Sequence, residues 1–237
     1  MASAPPPVRI GVFGSDNSRQ SERHGCGLWP AGVAASLTAA EATPVILNGP
    51  ERRRTRDDIL DGLHGLVVVG HDGSPGREAE SEQLCEWCHE RRLPILGIDH
   101  GMHSLNTSHG GTVFFDLPRD QPDALQHRHP PERGLRHAIN VVDGTQLAAL
   151  YGEGEVVVNS EHRRAVQRVA RGFRASAIAL DGIIEAIEFE ADWFALGVQW
   201  QPATATASGL DIQLFRGLVT ACRARMAVEA GAELAAA

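Results

Sequence analysis

The most informative segment of the 237-residue chain reads Pro94-Ile-Leu-Gly-Ile-Asp-His-Gly-Met-His-Ser-Leu-Asn106. An apolar run stops at Asp99, Gly101 permits a tight turn, and a helical pattern follows. This order of strand, turn and helix is typical of an elbow that exposes one side chain and directs the next backbone N–H groups toward it. The segment therefore predicts that Asp99 lies at the apex of such an elbow, in the position of a nucleophile.

On the amino-terminal side of this segment, short apolar runs alternate with helical stretches. Strands are predicted at Val8–Phe13, Thr43–Leu47, Gly65–Gly70 and Pro94–Ile98, and helices at residues 31–42, 57–63 and 78–92. Strands that are apolar throughout are typical of a parallel sheet covered by helices on both faces. We therefore predict an α/β fold with a doubly wound, mostly parallel sheet, which binds ligands at the carboxyl ends of its strands.

After Gly111 the pattern changes. The segment Arg119–Gly134 is rich in Pro, His and Arg, which predicts an exposed loop or lid. Short runs beyond it predict an added region of antiparallel hairpins, with strands at His137–Val142, Glu155–Asn159, Ala175–Leu180, Ile183–Glu190 and Trp193–Trp200. An amphipathic helix is expected over Leu210–Met226. We expect one domain across residues 1–237, with flexible tails at residues 1–7 and about 228–237.

The charge balance and the cysteines bear on partners and location. The formal net charge is −8 and all 22 basic residues are Arg, so an acidic chain is not expected to bind nucleic acid. No run approaches the roughly 18 apolar residues of a membrane span, and the amino terminus lacks the pattern of a signal peptide. We therefore expect a cytoplasmic protein with a small-molecule ligand, and the sequence leaves a homodimer open. Cys85 and Cys88 are expected on the buried stripe of a helix.

The chain resembles the gamma-glutamyl hydrolase-like peptidases of the class I glutamine amidotransferase-like superfamily, the group that includes gamma-glutamyl-gamma-aminobutyrate hydrolases. The elbow is similar to the family's P-I-L-G-I-C-R-G-x-Q-x-x-N. The resemblance continues through further segments in the same order: Leu63–Gly73, Gly110-Gly-Thr-Val-Phe-Phe-Asp116, Val158-Asn-Ser-Glu-His162, Asp181-Gly-Ile-Ile-Glu-Ala-Ile-Glu188 and Gly197-Val-Gln-Trp-Gln-Pro202. It spans Val8 to about Val219 and implies the flavodoxin-like, doubly wound fold of that superfamily.

At the family's catalytic positions this chain departs from the pattern. The resemblance places Asp99 at the nucleophilic Cys, Gln201 at the His and Ala203 at the Glu. Thioester chemistry requires a thiolate, an imidazole that moves protons and a carboxylate that orients the imidazole. The resemblance therefore implies a replaced triad, and we predict that Cys-dependent glutaminase or gamma-glutamyl hydrolase activity is absent.

Other polar residues are expected to occupy the pocket. The resemblance places Gly70, His71 and His100 at the backbone positions that would stabilise an oxyanion, and His103 at the family's substrate-binding Gln. Asp99 and His103 are four residues apart at a helix start and can share a face, so these two residues, with His71, are the catalytic candidates. Asn159, Ser160 and His162 are candidates for substrate binding, with His103. Asp99, His103 and His71 also suit a divalent metal, the one cofactor that the residues suggest.

Two functions remain open. In the first, the chain is a diverged enzyme that acts on a gamma-glutamyl, amide or amino-acid-like small molecule through Asp99 and His103, and the histidines around the elbow favour this interpretation. In the second, it is a pseudoenzyme that serves as a ligand-binding or partner subunit, and the replacement of every triad residue favours that one.

Overall fold

A computed structural model of the chain describes residues 6–14, 29–47, 55–69, 75–128 and 135–236. Within these residues the helices are α1 (Trp29–Ala39), α2 (Arg56–Leu60), α3 (Pro75–Glu90), α4 (His100–Thr107), α5 (Leu117–Asp120), α6 (Gln146–Tyr151) and α7 (Ile212–Ala236). The strands are β1 (Val8–Phe13), β2 (Ala42–Leu47), β3 (Gly65–Val69), β4 (Ile95–Ile98), β5 (Thr112–Phe114), β6 (Arg136–Val141), β7 (Gly154–Asn159), β8 (Ala165–Arg168), β9 (Phe173–Ala179), β10 (Ile184–Phe189) and β11 (Ala195–Val198).

One mixed sheet contains the strands of the described residues, in the order β2-β1-β3-β4-β11-β10-β9-β6-β7, with β8 on β10 and β5 on β8. The pairs β1–β2, β1–β3, β3–β4 and β4–β11 are parallel. From β11 onward the pairing is antiparallel. The predicted α/β fold, a mostly parallel sheet with an added antiparallel region, is therefore confirmed. No helix of the described residues is long and apolar enough to cross a membrane.

Helices cover both faces of the parallel part of the sheet. Alternate residues of β3 belong to different cores: Val67 and Val69 pack in the cluster that includes residues of α1 and α7, whereas Leu66 and Val68 pack with residues of α2, α3 and α4. The alternation follows from the two-residue period of a strand, which sends successive side chains to opposite faces. A strand that is apolar at every position is thus buried on both sides.

Several short elements were not predicted. The strands β5 and β8 pair with each other, and β11 joins β4 in parallel as well as β10 in antiparallel fashion. The predicted loop at residues 119–134 begins inside the short helix α5, and residues 129–134 lie outside the described part of the chain. The last helix continues past its predicted end at Met226 through the Ala-rich tail to Ala236. Alanine has the highest helix propensity, which explains why the helix extends beyond the end predicted from its amphipathic pattern.

Candidate functional site

The elbow is present, and Asp99 lies at its apex. Asp99 directly follows β4 and precedes α4, and its backbone has φ 54 and ψ −113. A positive φ is uncommon for a residue with a Cβ and is held only where the surroundings enforce it. Here the Asp99 N–H donates to the carbonyl of Val198, and the Asp99 carbonyl accepts from Met102. Asp99 therefore lies at the apex of the elbow, as predicted, and its backbone is strained.

Close packing behind the elbow requires glycine. A Cβ on Gly101 would lie 1.9 Å from the carbonyl oxygen of Val68, and a Cβ on Gly97 would lie 2.6 Å from the carbonyl of Gly101. The first turn of α4 therefore lies directly on the neighbouring strands β3 and β4. This contact fixes α4 at the carboxyl edge of the sheet, as expected for the ligand-binding edge of a doubly wound fold.

Asp99 and His103 are joined through a third side chain, Gln199. The Nε2 of Gln199 donates to Oδ1 of Asp99 at 2.8 Å, and Oε1 of Gln199 lies 2.8 Å from Nε2 of His103. All three residues are buried. The prediction that Asp99 and His103 face one site is supported by this shared partner. Gln199, which follows β11, had not been singled out from the sequence, although it lies in the segment Gly197–Pro202 that carries the family resemblance.

The bridging amide fixes the tautomer of His103. The carboxylate of Asp99 accepts from the NH₂ of Gln199, so the amide oxygen faces His103, and the Nε2 of that ring must carry the proton. Burial lowers the pKa of His103 well below 6.5, and the nearby His100 lowers it further. A neutral ring with a proton on Nε2 has a lone pair on Nδ1. That Nδ1 atom is buried without a hydrogen-bond partner among the described residues.

The residues at the other predicted triad positions lie close by. The side chain of Asn159 holds the backbone of Gln201, since its Nδ2 donates to the Gln201 carbonyl at 2.9 Å and its Oδ1 accepts from the Gln201 N–H at 2.8 Å. Ala203 packs against α1, where a Cβ on Gly32 would meet the Ala203 carbonyl at 2.2 Å. Ser160 donates to the carbonyl of His127. Asn159 and Ser160 therefore have internal partners, and their role in substrate binding stays a prediction.

His100 opens α4 and is half-buried, with its ring centroid 5.2 Å from that of His103. Gly70 and His71, the other predicted oxyanion positions, lie outside the described residues.

A second polar cluster lies beside the elbow. It consists of His127, His137, His162 and Glu185, and one nitrogen or oxygen atom from each of these side chains lies within 4.8 Å of the others. Glu185 on β10 is linked to the elbow because its carbonyl accepts from the N–H of Gln199 at 2.8 Å. The cluster is therefore joined to the elbow through the backbone of Gln199.

The cluster includes a predicted substrate-binding residue but neither Asp99 nor His103. His162, a candidate for substrate binding, lies against Glu185 with 3.4 Å between its Nε2 and Oε1 of Glu185, and its Nδ1 faces the carbonyl of Arg164. The metal candidates Asp99 and His103 belong to no cluster of three or more metal-binding side chains among the described residues. The helical spacing of four residues brought them to one face, but the antiparallel strands assemble a larger set of ligand-type atoms elsewhere.

His127, His137 and Glu185 had no assigned role from the sequence. Glu185 nevertheless carries a usable signal, because an acidic residue between Ile184 and Ala186 in an apolar strand must find buried partners. Burial raises the pKa of Glu185, but the charge of His162 and contacts with His127 outweigh it and bring the pKa to about 2. His127 lies in the chain before β6, and His137 is the second residue of β6. Only the tertiary structure shows that their side chains meet.

The described cysteines lie in the hydrophobic core. Cys85 and Cys88 on α3 and Cys222 on α7 are buried in the hydrophobic clusters, which confirms the prediction for the first two. Burial raises the pKa of Cys222 to about 12 and raises those of Cys85 and Cys88 as well. These three thiols are therefore protonated near neutral pH and unsuited to nucleophilic attack.

Comparisons with known proteins agree with the fold and the motifs. Residues 70–203 match the family model Peptidase C26. The chain is 35% identical over 220 residues to gamma-glutamyl-gamma-aminobutyrate hydrolase PuuD of Escherichia coli, covering 83% of each protein. It is 27% identical over 208 residues to Protein NtpR of Enterococcus hirae, covering 78% of this chain and 86% of the other.

A solved structure shows the same architecture at low identity. The glutaminase domain of Trypanosoma brucei CTPS, solved with bound acivicin, superposes with a TM-score of 0.66 at 19% identity and covers 91% of this chain and 94% of the other. The matched family model, the identity to the hydrolase and the elbow after β4 all point the same way. The chain belongs to the Peptidase C26 family of class I glutamine amidotransferase-like proteins.

Proposed function

We propose that this chain binds a gamma-glutamyl or other amide-bearing small molecule at the elbow and acts on it by proton transfer through His103, without a thioester. The observation that carries the proposal is the lone pair on the buried Nδ1 of His103, which has no partner among the described residues. A buried acceptor left without a partner is costly in a native protein and calls for a bound group. The relative from Escherichia coli is named for a gamma-glutamyl substrate, which supports the ligand class.

The chain from Asp99 through Gln199 to His103 suits this task. A general base must be neutral at working pH and must present the correct nitrogen. The lowered pKa meets the first condition, and the bridging amide meets the second. In hydrolysis, Nδ1 would take a proton from water as the oxygen attacks the carbonyl carbon, and would return it to the departing amine. Asp99 then acts by orienting Gln199 and through it His103.

Cysteine chemistry is not part of the proposal. The elbow carries a carboxylate, and the described thiols are buried with raised pKa values. The family resemblance, which places Gln201 and Ala203 at the family's His and Glu, supports the same view. We do not propose a covalent intermediate on Asp99, which would be a mixed anhydride.

A pseudoenzyme is the second candidate. It is favoured by the engagement of Asp99 and His103 with Gln199 inside the protein, since an internally paired acid and base can stabilise the fold alone. In this alternative the chain serves as a ligand-binding or partner subunit. We expect a small-molecule ligand in either case, and a cytoplasmic location stays part of the proposal.

The test compares Asp99→Asn and His103→Gln with the control His109→Gln. His109 is half-buried and follows the carboxyl end of α4. Gamma-glutamyl-gamma-aminobutyrate and L-glutamine are the probes, with binding followed by calorimetry and products by mass spectrometry. We expect the first two variants to remain folded and to lose binding or turnover by at least about tenfold. Binding without turnover in the wild type supports the pseudoenzyme. Full activity in both elbow variants would refute a role for the pair.

A further inference from the structure

We propose that His127, His137, His162 and Glu185 form a structural binding site for a tetrahedral divalent cation of the zinc type. The four side chains come from four separate segments: the chain after α5, strand β6, the chain after β7 and strand β10. Three imidazole nitrogens and one carboxylate oxygen are a ligand set that zinc accepts. This site is distinct from the elbow, and the inference does not depend on the proposed function.

Three of the six distances between the ligand atoms fit a metal of that geometry. Oε1 of Glu185 lies 3.3 Å from Nδ1 of His127, 3.5 Å from Nε2 of His137 and 3.4 Å from Nε2 of His162. A tetrahedral ion with bonds of about 2.0–2.1 Å separates its ligand atoms by about 3.3–3.4 Å. The three measured separations from the carboxylate oxygen therefore have the length of tetrahedral edges.

Hydrogen bonds on the outer side of each ring show why a cation is needed. Nε2 of His127 faces a carboxylate oxygen of Asp181 at 2.9 Å, and Nδ1 of His162 faces the Arg164 carbonyl at 2.8 Å. Nδ1 of His137 lies 3.2 Å from the Ala138 carbonyl. Carboxylates and carbonyls only accept, so each outer nitrogen carries a proton. In the neutral rings the inner nitrogens are then bare lone pairs.

With all three rings neutral, the inner atoms have no hydrogen-bond donor among the described residues. The inner nitrogens and both Glu185 oxygens are buried without a hydrogen-bond partner there. Lone pairs facing lone pairs repel, while protonating all three rings would bury three cations around one carboxylate. A divalent cation at the centre resolves both problems, and Asp181 and the two carbonyls complete the outer shell that orients metal-binding histidines.

The site is closed, which indicates a structural role. The side chains of the four residues are between 0 and 8% exposed. Four protein ligands fill a tetrahedral ion and leave no position for water or substrate. The ion would fasten the segment that carries His127 to the antiparallel part of the sheet. It would also hold Glu185, whose carbonyl accepts from Gln199 in the elbow.

The first measurement is the metal content of the untagged full-length protein, purified from zinc-supplemented medium. We expect about one ion per chain, and a melting temperature that falls on chelation and recovers with Zn²⁺. Titration of the chelated protein with Co²⁺ should give the visible absorption of tetrahedral cobalt. Because these readouts use the wild type and no substrate, they do not depend on whether the elbow is active.

Variants then assign the ligands. Glu185→Gln should lose the ion, whereas Glu188→Gln should retain it. Glu188 is a matched control, because it is equally buried on β10 but is paired with Arg174 and with the N–H of Gln146. Asp181→Asn should weaken Zn²⁺ binding about 10- to 100-fold, as expected for an outer-shell partner of a bound histidine. His109→Gln serves as the control histidine.

Two results would overturn the proposal. One is a wild-type protein that carries no ion and takes up neither Zn²⁺ nor Co²⁺ in titration. The other is a folded Glu185→Gln that retains the ion, which would show that the metal binds elsewhere. Should Glu185→Gln fail to fold, the wild-type titrations decide the matter without it.

Discussion

Replacing Gln199 with Met tests whether one amide holds the elbow pair together. Methionine has nearly the same volume and length, so the change removes hydrogen bonds with little change in packing. The wild-type amide makes one bond to the carboxylate of Asp99 and one to the ring of His103. A bond to a charged group contributes about 1.5–3 kcal/mol and a neutral one about 0.5–1.5 kcal/mol. We therefore expect the free energy of unfolding to fall by about 2–4 kcal/mol.

Urea denaturation at pH 8, followed by tryptophan fluorescence, gives the free energy of unfolding, and a thermal scan gives the melting temperature. For a chain of this size the expected loss corresponds to a fall of about 5–15 °C. Gln167→Met is the control, since this exposed side chain bonds only Thr112 among the described residues and should change stability by less than about 0.5 kcal/mol. Gln199→Glu should be destabilised more at pH 8 than at pH 5, because it sets a second carboxylate beside Asp99.

If Gln199→Met is as stable as the wild type to within about 0.5 kcal/mol, the bridge does not hold the pair. The reasoning also fails if Gln199→Glu shows no dependence on pH. Either result would show that Gln199 does not join Asp99 to His103 and would remove the reason for assigning one tautomer to His103.

Three further predictions concern the pH response, the elbow packing and the chemistry. Burial lowers the pKa of His103 below its unfolded value near 6.5, so the unfolded chain binds more protons at lower pH. The free energy of unfolding should therefore fall as pH drops below about 6.5, by at most about 1.4 kcal/mol per pH unit. Denaturation curves of the wild type and His103→Gln measure this dependence, and equal slopes of stability against pH in the two proteins would contradict it. Gly101→Ala should destabilise by about 3 kcal/mol or more, because its Cβ meets the Val68 carbonyl, while Gly209→Ala, in open space, should change stability by less than about 0.5 kcal/mol. A glutamine analogue that traps thioesters should label no cysteine by mass spectrometry, and a stoichiometric adduct on any of them would refute the non-thioester proposal.

The elbow could be predicted from the sequence because its signals are local. An apolar run, a residue at the apex and a glycine two positions later determine strand, turn and helix within a few residues, and the structure has Asp99 where these signals placed it. The parallel strands were also recognisable, since burial on both faces makes them apolar at every position. The strands β5 and β8 carry no such signal, because each is short and depends on the other for its hydrogen bonds.

The sequence by itself determined the α/β fold, the family and the position of Asp99. The tertiary structure alone showed that Gln199 joins Asp99 to His103, although Gln199 lies 100 residues beyond Asp99 in the chain. It alone brought His127, His137 and His162 around Glu185. Local patterns record how each residue relates to its neighbours, whereas these contacts arise from strand pairing and register between distant segments. The register of β10 against β11 places Glu185 and Gln199 side by side, and no local pattern encodes that pairing.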